Sequence, residues 1–417
     1  MSSDNSDIDV VIVGAGAAGI GAAKTLRQRG IGFKVLEASH RIGGRAYTEA
    51  IAPGVPFDLG CHWMHSASIN PMVAIADKLG LSYVQENRPQ RIYAHGAWVS
   101  DAECADWETF SAQCDARIVD AVKAGDDRSV ADLIDREHRW TAMYDYWNSL
   151  LTSVDSDQVS AVDLADYRDT GENWPLKEGY GTLMARFGAD VPVALNSAVE
   201  RIDARGATLK LHTSKGTLAA RRVIVTVSTG VLGAGDIRFD PVLPDWKQAA
   251  IADLPLGNHN RICLLFDRNV FGPDQHLHAT MLPESGEPMA FSIRPFGYDY
   301  VVGFTGGRHA DWLEKAGSEA SAALAKEHLV SIYGADIVKH ITRHSVTAWR
   351  GDPWVRGAYA ANAPGCGNRR ALLARPIDER LYFAGEATSP EFFSTAHGAY
   401  LSGVATANTV ADGLRKP

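Results

Sequence analysis

Two short apolar runs, residues 8–13 and 34–37, flank residues 17–29, in which apolar positions recur three and four apart until Gly30. That pattern predicts strand, helix, stop and second strand: a βαβ unit with its crossover. From 70 to 170 the spacing turns helical, with helices expected over 71–79, 105–122 and 140–153. Period-two alternation returns at 198–202, 208–213 and 222–227, and again at 260–266, 290–295 and 300–305. A helix follows over 319–333. The C-terminal part then repeats the opening logic, with a strand at 380–384, Gly385, and a long helix from about Thr395 to Gly413. There is no internal repeat and no low-complexity segment. The reading is one α/β unit assembled from residues 1–76, 176–245 and 366–417, enclosing a mixed helix and sheet unit from 77–175 and 246–365.

Bulk properties narrow the class. At 417 residues the chain exceeds one simple core. Its 46% hydrophobic and 22% charged content is ordinary for a soluble globular enzyme. A net charge of −9 argues against non-specific nucleic-acid binding and mildly favours cationic substrates by steering. Five scattered cysteines without a CxxC pair suggest neither a disulfide framework nor a zinc knuckle. The opening MSSDNSDID has no basic and no apolar region of the kind a secretory signal needs. No apolar stretch reaches the roughly 18–20 residues of a spanning helix. The expectation is a cytoplasmic protein without membrane or nucleic-acid partners; its oligomeric state is not legible.

Candidate chemistry starts at the first strand–helix junction. Gly14-Ala15-Gly16-Ala17-Ala18-Gly19 is a GxGxxG. Gly14 allows the tight turn, Gly16 the approach of a pyrophosphate, and Gly19 close packing of helix on strand, while amides at Ala17 and Ala18 open the helix toward phosphate. Glu37, followed by Ala38, ends the second strand, where an acid suits a ribose diol and disfavours a 2′-phosphate. In RIGGRAYT, Gly43 and Gly44 can bring amides to a second face of the pyrophosphate and Arg45 can neutralise it. Near the C-terminus Gly385 and Glu386 precede the long helix, so amides around Thr395 and Ala396 lie at its positive end.

Taken with DLGCHWMHSASINP, VIVTVSTGVLGAGDIRFDPVLPDWKQAAI, TAWRGDPWVRGAYA and residues 381–407, these motifs resemble the flavin-containing amine oxidases, in particular the branch of polyamine oxidases, spermine oxidases and flavin-dependent histone demethylases. The resemblance spans almost the entire chain and is weakest over 85–175. It implies a Rossmann-like two-dinucleotide-binding-domain FAD fold with an inserted substrate domain. It also implies flavin contacts from Gly60, Cys61, His62, Trp63, Val199 and Trp349, and a flavin-facing helix end at Thr395 and Ala396. His65 falls where spermine-oxidase-like members place a histidine beside the amine. Tyr359 falls on the tyrosine that walls the amine pocket. Ala358 replaces the cysteine through which monoamine oxidases link their flavin, so FAD is expected to be non-covalent. Thr395 replaces their second cage aromatic.

The cluster Cys61, His62, Met64, His65 invites a metal reading. Three or four ligands would have to converge, whereas residues on an extended strand alternate sides, and no second His/Cys cluster exists. No metal is expected, and Cys61 and Met64 read as core filler. One departure stands out. Where the family pattern has a lysine that holds a water against flavin N5, this chain has Arg261, and no lysine lies between Lys247 and Lys315. Arginine stays protonated and cannot relay a proton, so fast reaction with oxygen is in doubt. The implied reaction is oxidation of an amine C–N bond, by hydride transfer to flavin N5, to an imine that hydrolyses, with oxygen reduced to hydrogen peroxide. The rivals are a flavin dehydrogenase or desaturase of the same fold, or a non-catalytic flavoprotein that binds a partner.

Overall fold

The computed structural model describes residues 8–85, 90–274 and 276–415; the polar opening, residues 1–7, lies outside them. The strand Ile8–Val13 runs parallel to Phe33–Leu36 in the register Val10↔Phe33, and the helix Ala17–Gln28 connects them. Val10 to Ile12 are fully buried, as a strand covered on both faces requires. On its other edge Ile8–Val13 pairs in parallel with Gly216–Val225, which also pairs with Leu381–Phe383 in the register Val223↔Leu381. This sheet has eight strands, the remainder coming from residues 193–213 and 238–240. The fold is α/β.

Helix Ala17–Gln28 packs against helix Ala396–Arg415 through glycines. A Cβ on Gly403 would lie 2.1 Å from the Ala18 carbonyl oxygen, and one on Gly21 would lie 2.9 Å from Tyr400. Gly19 packs inward in the same way, its missing Cβ only 2.0 Å from the Gly14 oxygen.

A second sheet of seven strands is antiparallel around His259–Phe266, which pairs with Tyr300–Gly306 and Ile341–Val346. Its far edge holds Met289–Ile293, Leu277–Leu282 and the hairpin Gln90–Ala94/Ala97–Trp98. The strand at 277–282 and the hairpin are not among the expected strands, although Leu277, Ala279 and Met281 alternate with His278 and Thr280; the hairpin strands are short. Helix Asp101–Lys123 starts four residues before the apolar pattern does. Ser100 and Glu103 form a capping box that satisfies two amides at its start. The helical region is tied back to the nucleotide unit by a buried bidentate pair, Arg370 to Asp163, with both contacts at 2.7 Å. Among the described residues no helix is long and apolar enough to cross a membrane.

Candidate active site

Between the two sheets lies a cavity of about 660 Å³. Its walls include Gly14, Gly16, Ala17, Ala18, Glu37, Ala38, Gly43, Gly44, Arg45 and Val199, and also Gly60, Cys61, His62, Trp63, His65, Arg261, Trp349, Tyr359, Gly385, Glu386, Thr395 and Ala396. Gly19 is the one glycine of the first motif that does not line it; it packs behind the turn.

The cradle is built from backbone. Gly14 turns at φ +104, and a Cβ there would strike the Thr226 hydroxyl at 2.6 Å. Gly16 caps helix Ala17–Gln28 with no side-chain acceptor for the first amides, so these donors open on the cavity. Gly16 bridges to Gly43, whose amide donates to the Ala15 carbonyl at 2.9 Å, and Gly44 stands against Gly16 at φ +58. The Glu37 carboxylate accepts from the Ala15 amide at 2.6 Å and the Ser39 amide at 2.9 Å. These bonds fix its orientation and leave one lone pair on each oxygen for a diol. A cavity with glycine walls, unpartnered helix amides and an aimed carboxylate fits a dinucleotide.

Arg45 bonds to Glu386 at 2.9 Å and donates to the Ala358 carbonyl, so its charge is already balanced inside the protein. Glu386 is buried and also accepts from the amides of Ala360 and Ser394, both at 3.2 Å. Thr395 caps helix Ala396–Arg415: its hydroxyl accepts from the Gly398 amide at 3.0 Å and donates to the Phe392 carbonyl at 2.6 Å. The positive end of that helix therefore opens on the cavity. Trp349 donates from Nε1 to the Leu59 carbonyl at 3.0 Å and closes over Gly60, where a Cβ would meet the Arg45 oxygen at 1.8 Å.

The run from Cys61 to His65 is not one extended strand, contrary to the alternation argument. Only Trp63–Met64 pairs, with Trp174–Pro175, and Ser66 turns the chain at φ +51. His62 Nδ1 pairs with Asp58 at 2.8 Å, and His65 Nδ1 bonds to the Asn173 side chain. Among the described residues no group of three His, Cys, Asp or Glu is placed to hold a metal. Burial pushes the Cys61 thiol up to about 11, which keeps it unreactive near neutrality. Burial also lowers His65, against the pull of Asn173 and Asp169.

Arg261 sits on strand His259–Phe266 and is buried. Its Nη1 donates to the Asp58 carbonyl at 3.0 Å, and the guanidinium lies 5.5 Å from the Trp63 ring and 5.6 Å from that of Phe304. Desolvation lowers its pKa, with the Asp58 carboxylate opposing. Lys247 lies elsewhere, its ammonium bound by the carbonyls of Leu372, Leu373 and Arg375. Tyr359 is held by its backbone: the carbonyl accepts from the Gly257 amide at 2.8 Å and the Ser153 hydroxyl at 3.0 Å. Burial raises its phenol, with Arg261 opposing.

Sequence reasoning missed several residues here. The His259 ring lies tilted at 5.6 Å from Tyr359, and its pKa is lowered to about 3 by burial, with Arg261 adding to the shift. Asp58 orients His62 and Thr48, and Asn173 positions His65 from 108 residues away. Trp147, Tyr167, His278 and Phe304 complete the aromatic wall. None carries a local motif. Ser228 caps the short helix Thr229–Gly233 and donates to the Val355 carbonyl at 2.6 Å.

The chain is similar to several known proteins. Residues 12–79 match the model of the NAD(P)-binding Rossmann-like domain. Polyamine oxidase 4 of Oryza sativa subsp. japonica is 29% identical over 439 residues, covering 96% of this chain and 88% of that protein. Lysine-specific histone demethylase 2 of Homo sapiens is 27% identical over 456 residues, covering 99% of this chain but 54% of that one. A solved putrescine oxidase double mutant superposes with a TM-score of 0.81 at 19% identity, over 97% of this chain and 99% of that one, and so shares the fold. Residues 99–411 match the model of the flavin containing amine oxidoreductases, and the chain belongs to that family.

Proposed function

We propose that the protein is an FAD-dependent amine oxidase with non-covalently held cofactor. The observation that carries this is the continuity of one cavity from the glycine cradle at Gly14 and Glu37 to the aromatic chamber at Tyr359 and Trp63. The residues that would hold FAD are Gly14, Gly16, Glu37, Gly43 and Gly44 at the nucleotide, with Gly60, Trp349 and Thr395 nearer the aromatic chamber. Ala358 offers no thiol for a covalent link. Bound FAD would supply the hydride acceptor and a route for the electrons to oxygen, with hydrogen peroxide as product. The chain's own contribution is placement and exclusion of water: Tyr359, Trp63 and Phe304 form the apolar walls, and His65 and His259 stay neutral near neutrality. No nucleophile is required of the protein.

Arg261 supports a second reading, a flavin dehydrogenase of the same fold that reacts slowly with oxygen, because a guanidinium cannot relay protons. Anaerobic mixing with amines tests both readings. Bleaching of the yellow protein by an amine supports the proposal, and colour that returns slowly in air assigns the dehydrogenase. Failure of every amine to bleach the flavin would leave a binding protein instead.

A further inference from the structure

We propose that Arg261 anchors a substrate carboxylate, so that the amine taken here is an aromatic or apolar amino acid and not a polyamine. This rests on the amine-oxidation reading and names its substrate class. The guanidinium is buried, lines the cavity and is flanked by the Trp63 and Phe304 rings. Its only hydrogen-bond acceptor among the described residues is the neutral carbonyl of Asp58, and it forms no ion pair there. The Asp58 carboxylate is itself engaged by His62 and Thr48. A desolvated cation facing apolar walls with four N–H groups uncommitted is costly unless an anion completes it. A carboxylate matches the planar fork bidentately.

The acids of the cavity support the same conclusion. Those that line it are Glu37, Glu200, Asp236, Asp352 and Glu386. Glu37 is bound by amides, Glu386 pairs with Arg45, and Asp236 pairs with Arg356. Among the described residues no carboxylate lines the cavity beside Trp63, Phe304 and Arg261, where the second ammonium of a polyamine would need one. The other arginines lining the cavity among the described residues are engaged elsewhere: Arg45 pairs with Glu386, Arg356 with Asp236, and Arg41 donates to the Gly44 carbonyl at 2.8 Å.

With such a substrate the bond changes balance simply. The α-carbon gives up a hydride and the nitrogen a proton, forming an imino acid. Water then yields a 2-oxo acid and ammonia, and the two electrons reach oxygen through the flavin.

The test pairs amino acids with their decarboxylated counterparts. Phenylalanine and tryptophan, each as both enantiomers, phenethylamine, tryptamine and spermidine are mixed anaerobically with holoenzyme. Half-saturation for bleaching by one enantiomer should be lower than for its amine by at least about 100-fold, the least that two charge-assisted hydrogen bonds are worth. Arg261→Gln should remove that preference at unchanged flavin absorbance. Equal half-saturation for acid and amine, or bleaching by spermidine at the lowest concentration, overturns the carboxylate anchor while leaving amine oxidation standing. If nothing bleaches, amine oxidation fails, and titration of the flavin spectrum with benzoate against benzyl alcohol decides on Arg261 alone. Tighter binding of benzoate, lost in Arg261→Gln, supports the anchor; equal binding overturns it. Should the variant not fold, the benzoate comparison on the unaltered protein remains decisive.

Discussion

Glu386 reaches Arg45 across 341 residues of sequence, at 2.9 Å, and the same carboxylate takes the amides of Ala360 and Ser394. One buried side chain thus fastens the glycine turn, the Tyr359 segment and the start of helix Ala396–Arg415. Glu386→Ala leaves Arg45 without its counter-charge and two amides without acceptors, a loss of about 3–5 kcal/mol by analogy with broken buried pairs. Urea unfolding of the flavin-loaded protein measures it. A loss under 1 kcal/mol would mean that water replaces the carboxylate.

Glu37→Ala should weaken cofactor binding far more than it changes chemistry in enzyme that stays loaded. Two ribose hydroxyl bonds to a charged acceptor contribute roughly 1.5–3 kcal/mol each. The variant also frees the Ala15 and Ser39 amides, so the cradle loosens. Flavin retained after dilution and gel filtration reads the effect; full retention would place the carboxylate elsewhere.

His65→Ala should raise the apparent KM by about tenfold, the worth of one hydrogen bond, with flavin content unchanged. The side chain lines the cavity but is held by Asn173, so Asn173→Ala should give part of the same effect by releasing the ring. Stoichiometric zinc, copper or iron in purified protein, lost on substitution of His65, would restore a metal reading.

Arg261→Lys keeps a cation but gives up the planar fork. Any preference for a carboxylate should fall by roughly tenfold, since one charge-assisted hydrogen bond replaces two. Reoxidation by air, slow and nearly flat with pH around neutrality in the parent, should gain speed and a pH dependence, because a desolvated lysine can titrate. Unchanged reoxidation would show that this position does not govern the oxygen step.

Acid should destabilise the fold before its carboxylates titrate. His259 and His397 are both held at about 3 by burial, against an ordinary value of 6.5. Each is neutral when folded and takes up a proton on unfolding below 6.5, so the stability present at neutrality is lost as pH falls toward 3. Between pH 6 and 5 the slope approaches about 2.7 kcal/mol per pH unit for the two together. Denaturant unfolding at successive pH values checks it; half that slope would mean that one ring is hydrated, and a flat profile that both are.

What the sequence disclosed about the site follows the range of the interactions involved. The turn at Gly14, the amides of Gly16 and the acid at Glu37 work within one βαβ unit, so spacing alone places them. Asp58, Asn173 and His259 act through contacts made only when distant segments meet, and nothing in their neighbours' periodicity marks them. The metal question shows both cases. The absence of a second ligand cluster was visible in the sequence, whereas the turn at Ser66 and the partners of His62 and His65 were not. The capping box of Ser100 and Glu103 lies ahead of the apolar pattern, which is why apolar spacing alone places the helix start four residues too late.

The glycine-mediated contact between helices Ala17–Gln28 and Ala396–Arg415 bears on how the chain acquires its shape during synthesis. The opening βαβ motif emerges from the ribosome first, yet the strand Leu381–Phe383 and the helix that seals it are made more than 350 residues later. At a translation rate of about 5–20 residues per second, the nascent motif waits tens of seconds with its Gly21 face uncovered. Helix Ala17–Gln28 carries Ile20, Ala22, Ala23 and Leu26, all fully buried in the finished protein. Until residues 381–415 arrive, that apolar surface has no partner from the C-terminal part of the chain to cover it.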